Sequence, residues 1–211
     1  MKPAVSLLSV WVLAFGLSLT LLGLGQSLAQ GSNRGVSPPS WVLTQLPSAT
    51  FTGQGSLRFL GLPVYDAVLF APAETRPEAI LRQPLALTLT YKMGFSGQSI
   101  AQRSIEEMQR LRRGNSSQHE AWLTRMQTVF PDVSRGDQLT GIHLPGQGAR
   151  FFFNGRFVGQ IDDPVFSEAF FSIWLDPETR EPSLRQALLS GLGQQANTGS
   201  GSSSVPERSG R

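Results

Sequence analysis

An α+β fold, in which a large antiparallel sheet runs directly into helices, is what this 211-residue sequence predicts. Three observations carry that expectation. Asn154-Gly155 separates the apolar runs ARFFF and RFVGQI, and an Asn-Gly pair in that setting is a strong signal for a two-residue hairpin, since both turn residues must tolerate positive φ. The sequence Pro145-Gly146-Gln147-Gly148 joins the preceding strand in the same way. Asp163-Pro164 then opens a helix, with Asp163 as N-cap and Pro164 at the first helical position.

Taken in order, residues 56–60 and 64–71 are strand candidates separated by Gly61-Leu62-Pro63, and Gly53-Gln54-Gly55 ahead of them is expected to be a turn. Residues 84–93 alternate with period two. Leu85, Leu87, Leu89 and Tyr91 share one face and Ala86, Thr88, Thr90 and Lys92 the other, the pattern of a half-buried antiparallel strand. Residues 98–112 read as a helix with Ile105, Met108 and Leu111 on one stripe, entered through a turn containing Ser96. A second helix begins near Ser117, where Ser117-x-x-Glu120 forms a capping box and Trp122, Met126, Val129 and Phe130 recur at helical spacing. The helix after Asp163 carries Phe166, Phe170, Ile173 and Trp174. Phe151, Phe152 and Phe153 are consecutive in a strand, so both of its faces need cover, from core and helices or from an apolar ligand.

The ends of the chain differ from its middle. Residues 1–29 have the form of an export signal: Lys2 at the charged start, an apolar stretch, and Ser27-Leu28-Ala29 as cleavage site; an uncleaved anchor is the alternative. Residues 30–40 are expected to be a flexible leader, 41–191 one domain, and 192–211 a disordered tail rich in Gly, Ser and Gln. The protein is thus expected in the periplasm or outside the cell, touching a membrane only through its export signal. The net charge of +3 does not indicate nucleic acid, because residues 41–190 hold 14 basic and 14 acidic side chains and the excess lies outside them. Arg110, Arg112 and Arg113 form the one local cluster, at a helix end where cations complement the macrodipole.

Several chemistries are excluded or unsupported. With no cysteine there is no disulfide, thiol nucleophile or thiolate metal site. His119 and His143 lie in unrelated elements without a partner at ligand spacing, so no metal is expected and both read as surface or edge residues. Gly94-Phe95-Ser96-Gly97 lacks the spacing of a serine-nucleophile turn. Turn and N-cap duty account for Asp162-Asp163. No catalytic residue and no cofactor emerges.

The segments GQGSLRFLGLPVYDAVLFAP, PLALTLTYKMGFSGQSIAQRSIEEM, FPDVSRGDQLTGIHLPG, FFFNGRFVGQIDDPVFSEAFFSIWL and TREPSLRQALL, in this order, resemble the exported bacterial branch of the chalcone isomerase-like proteins. The resemblance spans roughly residues 51–191. It implies an open-faced β-sandwich, a large antiparallel sheet with helices packed on one face. The wider family includes plant enzymes that cyclise chalcones, plastid proteins that bind fatty acids, and members without demonstrated catalysis. Where the plant enzymes have a tyrosine just before the first long helix and an asparagine two turns later, this sequence has Ile100 and Glu107; the strand threonine aligns with Tyr65, and Arg58 stands near the place of the substrate-guiding arginine.

The resemblance therefore implies a noncatalytic module that binds a small apolar carboxylate, such as a fatty acid, or an aromatic anion between sheet and helices. Arg58 would pair the carboxylate, with Tyr65 or Tyr91 adding a hydrogen bond. The alternatives are an intramolecular lyase or isomerase of unknown substrate and a periplasmic structural or interaction protein.

Overall fold

The structure, a computed structural model, describes residues 36–192. The expected export signal, most of the leader and the tail from residue 193 onward lie outside the described residues. Strands β1 (Ala49–Phe59), β2 (Leu62–Pro72), β3 (Leu85–Tyr91), β4 (Gln138–Leu144), β5 (Gly148–Phe153) and β6 (Arg156–Ile161) form one open sheet in chain order, every neighbouring pair antiparallel. Helix α1 (Ser40–Gln45) precedes the sheet, α2 (Gly97–Arg110) and α3 (Ser116–Val129) fill the connection from β3 to β4, and α4 (Pro164–Leu175) and α5 (Pro182–Leu188) follow β6. A single 3₁₀ turn, Pro77–Arg82, links β2 to β3.

Alternation along the strands divides the apolar residues between two faces. One face carries Leu69, Leu87, Leu89, Tyr91, Leu139 and Phe151 into a core shared with α2 to α5. The other carries Phe70, Ala86, Ile142 and Phe152, and here α1 lies across the sheet through Val42 and Leu46, with the Trp41 ring 4.8 Å from that of Phe152. Consecutive phenylalanines on β5 are thus covered from both sides by the chain itself. The expectation that β3 is half-buried is corrected: Ala86 is buried in the cluster with α1, and Thr88 is buried with its Oγ1 bonded to Thr140 Oγ1 at 2.9 Å.

The hairpin expected at Asn154-Gly155 is present, with φ of 48° and 79°, the positive pair that a type I′ turn requires. Gly53-Gln54-Gly55 is not a turn but the middle of β1. A Cβ on Gly53 would stand 2.1 Å from Ala187 O, so this glycine lets α5 dock against the bare strand backbone. The break between the first two strands falls at Leu60-Gly61, one residue earlier than expected.

Capping follows local chemistry. Asp163 Oδ1 accepts from Val165 N at 2.8 Å and Phe166 N at 3.0 Å, and its Oδ2 accepts from Trp122 Nε1 at 2.8 Å, tying α3 to the start of α4. The capping box of α3 is centred on Asn115 and Gln118 instead of Ser117 and Glu120, because Asn115 Oδ1 already accepts from Gln118 N at 3.0 Å and helix begins one residue before Ser117. Arg110 and Arg113 do more than solvate a helix end: Arg113 Nη2 reaches Asp176 Oδ2 at 2.7 Å and Arg110 Nη1 reaches Glu178 O at 2.8 Å, bridging α2 to the far end of α4.

Both histidines are buried, contrary to the surface reading, since each satisfies a backbone carbonyl that folding would otherwise leave in the dark. His119 Nε2 lies 2.7 Å from Arg113 O. His143 Nε2 lies 2.9 Å from Leu81 O and its Nδ1 2.6 Å from Ser167 Oγ, so Nε2 donates and Nδ1 accepts, and one neutral tautomer joins the 3₁₀ turn, β4 and α4.

Gly155→Val is expected to lower stability by about 1–3 kcal/mol, because a β-branched residue is strained at positive φ; its Cβ would also meet Trp41 Nε1 at 3.2 Å. Chemical denaturation reads this directly, and an unchanged midpoint would refute it. Burial lowers the His143 pKa from its ordinary 6.5, outweighing the bond to Leu81. The unfolded chain then takes up the proton first as pH falls. Its stabilising contribution is complete above about 6.5 and lost as the pH drops through the folded value. Wild-type protein should lose unfolding free energy over that interval more steeply than His143→Gln, which should be weaker overall but flatter; parallel curves would exclude His143 as the source.

Candidate functional site

At the end of β3 farthest from His143, ladder register aligns Leu57, Tyr65 and Tyr91 across three strands. All three side chains belong to the helix-covered face. The Tyr65 and Tyr91 rings meet edge to face at 6.1 Å, and Phe95 continues the row 5.8 Å from Tyr91. Trp174, the penultimate residue of α4, donates Nε1–H to Tyr65 Oη at 2.9 Å. The Tyr65 oxygen accepts that bond, and among the described residues no acceptor takes its own proton.

Burial pushes both phenols up, beyond the range in which a tyrosine ionises at ordinary pH. They are permanent O–H donors. The charges felt by the Tyr65 phenol come from Glu181, Glu107 and Arg103. Glu107 is a buried carboxylate on α2 that receives Arg103 Nη2 at 2.5 Å, Arg110 Nε at 2.9 Å and Arg180 Nε at 3.4 Å. Burial first, and then the Glu107 charge, raises the Glu181 carboxyl beside it. Ile100 is half-buried against the core on the same helix.

Of the three residues singled out from sequence, Tyr65 and Tyr91 are brought together and Arg58 stands apart. Arg58 is exposed, and its Nη1 folds back on Gly61 O at 3.2 Å. Its charge is felt instead by Asp66, whose carboxyl is held low chiefly by the Lys92 ammonium and then by the Ser56 hydroxyl. The guanidinium whose charge reaches the Tyr65 phenol is that of Arg103, and Arg110 and Arg180 join it on Glu107. Part of that arrangement was readable, since Arg103, Glu107 and Arg110 follow the four- and three-residue spacing of helical ion pairs. Trp174 and Arg180 carried no such signal.

A family model described as chalcone isomerase-like matches residues 31–190. The chain belongs to this family. Among curated proteins, an uncharacterised protein of Haemophilus influenzae is 34% identical over 126 residues, a match covering 60% of each of the two chains. Among solved structures, the crystal structure of an Arabidopsis thaliana fatty-acid binding protein superposes with a TM-score of 0.53 at 16% identity, over 67% of this chain and 87% of that one. The chalcone isomerase-like domain therefore has the open sheet and helix layer implied by the residue patterns. No helix among the described residues is long and apolar enough to cross a membrane.

Proposed function

We propose that this chalcone isomerase-like domain is a noncatalytic binding protein for a small apolar anion of the fatty-acid type, taken between sheet and helices at the Tyr65–Tyr91 end. The observation that carries the reading is the Tyr65 hydroxyl. Trp174 fixes its orientation while leaving its own proton to donate. A carboxylate accepts such a bond, and Arg103, the cation whose charge reaches the Tyr65 phenol after those of Glu181 and Glu107, would be its nearest positive partner. The aromatic layer of Tyr91, Phe95 and Trp174 suits an alkyl chain or ring.

Binding is favoured over isomerase or lyase chemistry by the same phenols. A general acid works best with a pKa near the operating pH, and burial takes both tyrosines far above it. In this reading Arg58, outside the aromatic layer at the hairpin tip, helps to attract the anion, while Arg103 lies nearest the bound carboxylate. The likeness to a plant fatty-acid binding protein supports the ligand class by analogy of fold alone.

Native mass spectrometry of purified protein should reveal a copurified lipid, and displacement of a fluorescent fatty acid should give a measurable affinity. Tyr65→Phe should weaken that affinity about tenfold, the worth of one hydrogen bond to a charged group. Equal affinity in variant and wild type would remove Tyr65 from the site, and no affinity in the wild type would end the reading for fatty acids.

We also propose that the protein acts after export, with residues 1–29 removed. N-terminal sequencing of protein from periplasmic extracts should begin at or near Gln30; Met1 or Lys2 on membrane-bound material would instead identify an uncleaved anchor.

A further inference from the structure

A cleft of about 520 Å³ opens between the 3₁₀ turn, the α2–α3 connection, the β4–β5 turn and the start of α4. It lies at the other end of β3 from the tyrosines, where Leu85 pairs with His143. Arg82, Arg112 and Arg113 line it against a single acidic side chain, Glu168. Arg113 is engaged with Glu168 and Asp176, at 3.3 and 2.7 Å. Arg82 and Arg112 are exposed and have no side-chain partner among the described residues.

The backbone beneath both unpaired arginines is held by the two buried histidines. His143 donates to the carbonyl of Leu81, the residue before Arg82, and His119 donates to the carbonyl of Arg113, the residue after Arg112. Arg112 itself has φ of 55°, at the position that closes α2 through the bond from Arg113 N to Met108 O at 2.8 Å. Glycine takes that conformation without cost and a residue with a Cβ does not. Closure of α2 accounts for the backbone of Arg112, and no side-chain partner among the described residues accounts for its charge, which stands at the cleft on a backbone tied to His119.

We propose that this cleft binds a small phosphate-type dianion, held chiefly by Arg82 and Arg112. Arg113 is taken up by Glu168 and Asp176, and the two arginines left unpaired, Arg82 and Arg112, match the double charge of a phosphomonoester. Guanidinium forks match the spacing of phosphate oxygens. A soluble phosphate ester and the exposed headgroup of a phosphomonoester lipid present the same chemistry. The site is independent of the fatty-acid reading, sharing no residue with it.

The test titrates the full chain with glycerol phosphate by calorimetry and, in a second arm, floats it with phosphatidylcholine vesicles that contain phosphatidic acid. Binding in either arm is the expected result, and the arm that binds identifies the source. Arg82→Gln and Arg112→Gln should each weaken it about tenfold or more, as expected for loss of a charge-assisted contact. Arg156→Gln, an exposed arginine on β6, should leave it unchanged, and all three variants should keep the wild-type melting temperature. Failure of both probes to bind, or binding that is equal in wild type, Arg82→Gln and Arg112→Gln, would overturn the proposal.

Discussion

The packing of α4 on β5 through phenylalanine is the contact from which the rest of the domain is arranged. Phe151 is wholly buried, and Phe130, Phe166 and Phe170 surround its ring with centroids 5.0, 6.4 and 5.3 Å away, each close to edge-on. Such rings bury large apolar area and prefer this geometry, so one cluster fixes both the height and the rotation of the helix over the sheet. Phe130 closes α3 and therefore places the α2–α3 pair over the neighbouring strands. Trp122 reaches the N-cap of α4 from the same direction. Removing any member of this cluster would loosen several elements together.

Around that apolar centre, buried polar groups act as ties between elements. Thr88 and Thr140 satisfy each other across β3 and β4, Thr52 reaches both Leu69 O and Leu188 O, and His143 joins three elements. Each group leaves water only because a partner replaces it. Glu107 follows the same rule with charge, gathering guanidiniums from its own helix and from the loop after α4. These ties run from His143, opposite Leu85 at the start of β3, through Thr88 at its middle, to Glu107, whose charge is felt by Tyr65 beside its end.

This distribution bears on function. A fold shared by catalysts and binding proteins does not choose between them; the side chains at the site do. At the Tyr65 end burial raises two phenols, and the charges of Glu181, Glu107 and Arg103 reach the first of them. At the Arg112 end, exposed cations stand beside carbonyls bonded to His119 and His143. Under the two proposals, the first end takes an apolar tail with a charged head and the second a compact charge alone.

Local rules decided a large part of this protein from sequence. Asn154-Gly155 dictated its turn through φ, Asp163-Pro164 dictated a helix start through its cap, and period-two alternation placed Leu87 and Tyr91 on one face of a strand. These depend on residues a few positions apart, so the chain states them directly. Tertiary structure decided what depends on distant approach: that Gly53 is a docking surface for α5, that α1 covers the second face, and that His119 and His143 are buried ties. It also turned Arg58 back on Gly61, put Trp174 on the Tyr65 phenol and brought Arg180 to Glu107. Residues 109 positions apart meet in the Tyr65–Trp174 bond. No periodicity encodes that contact, because it comes from the angle at which the aromatic layer holds α4 across the sheet.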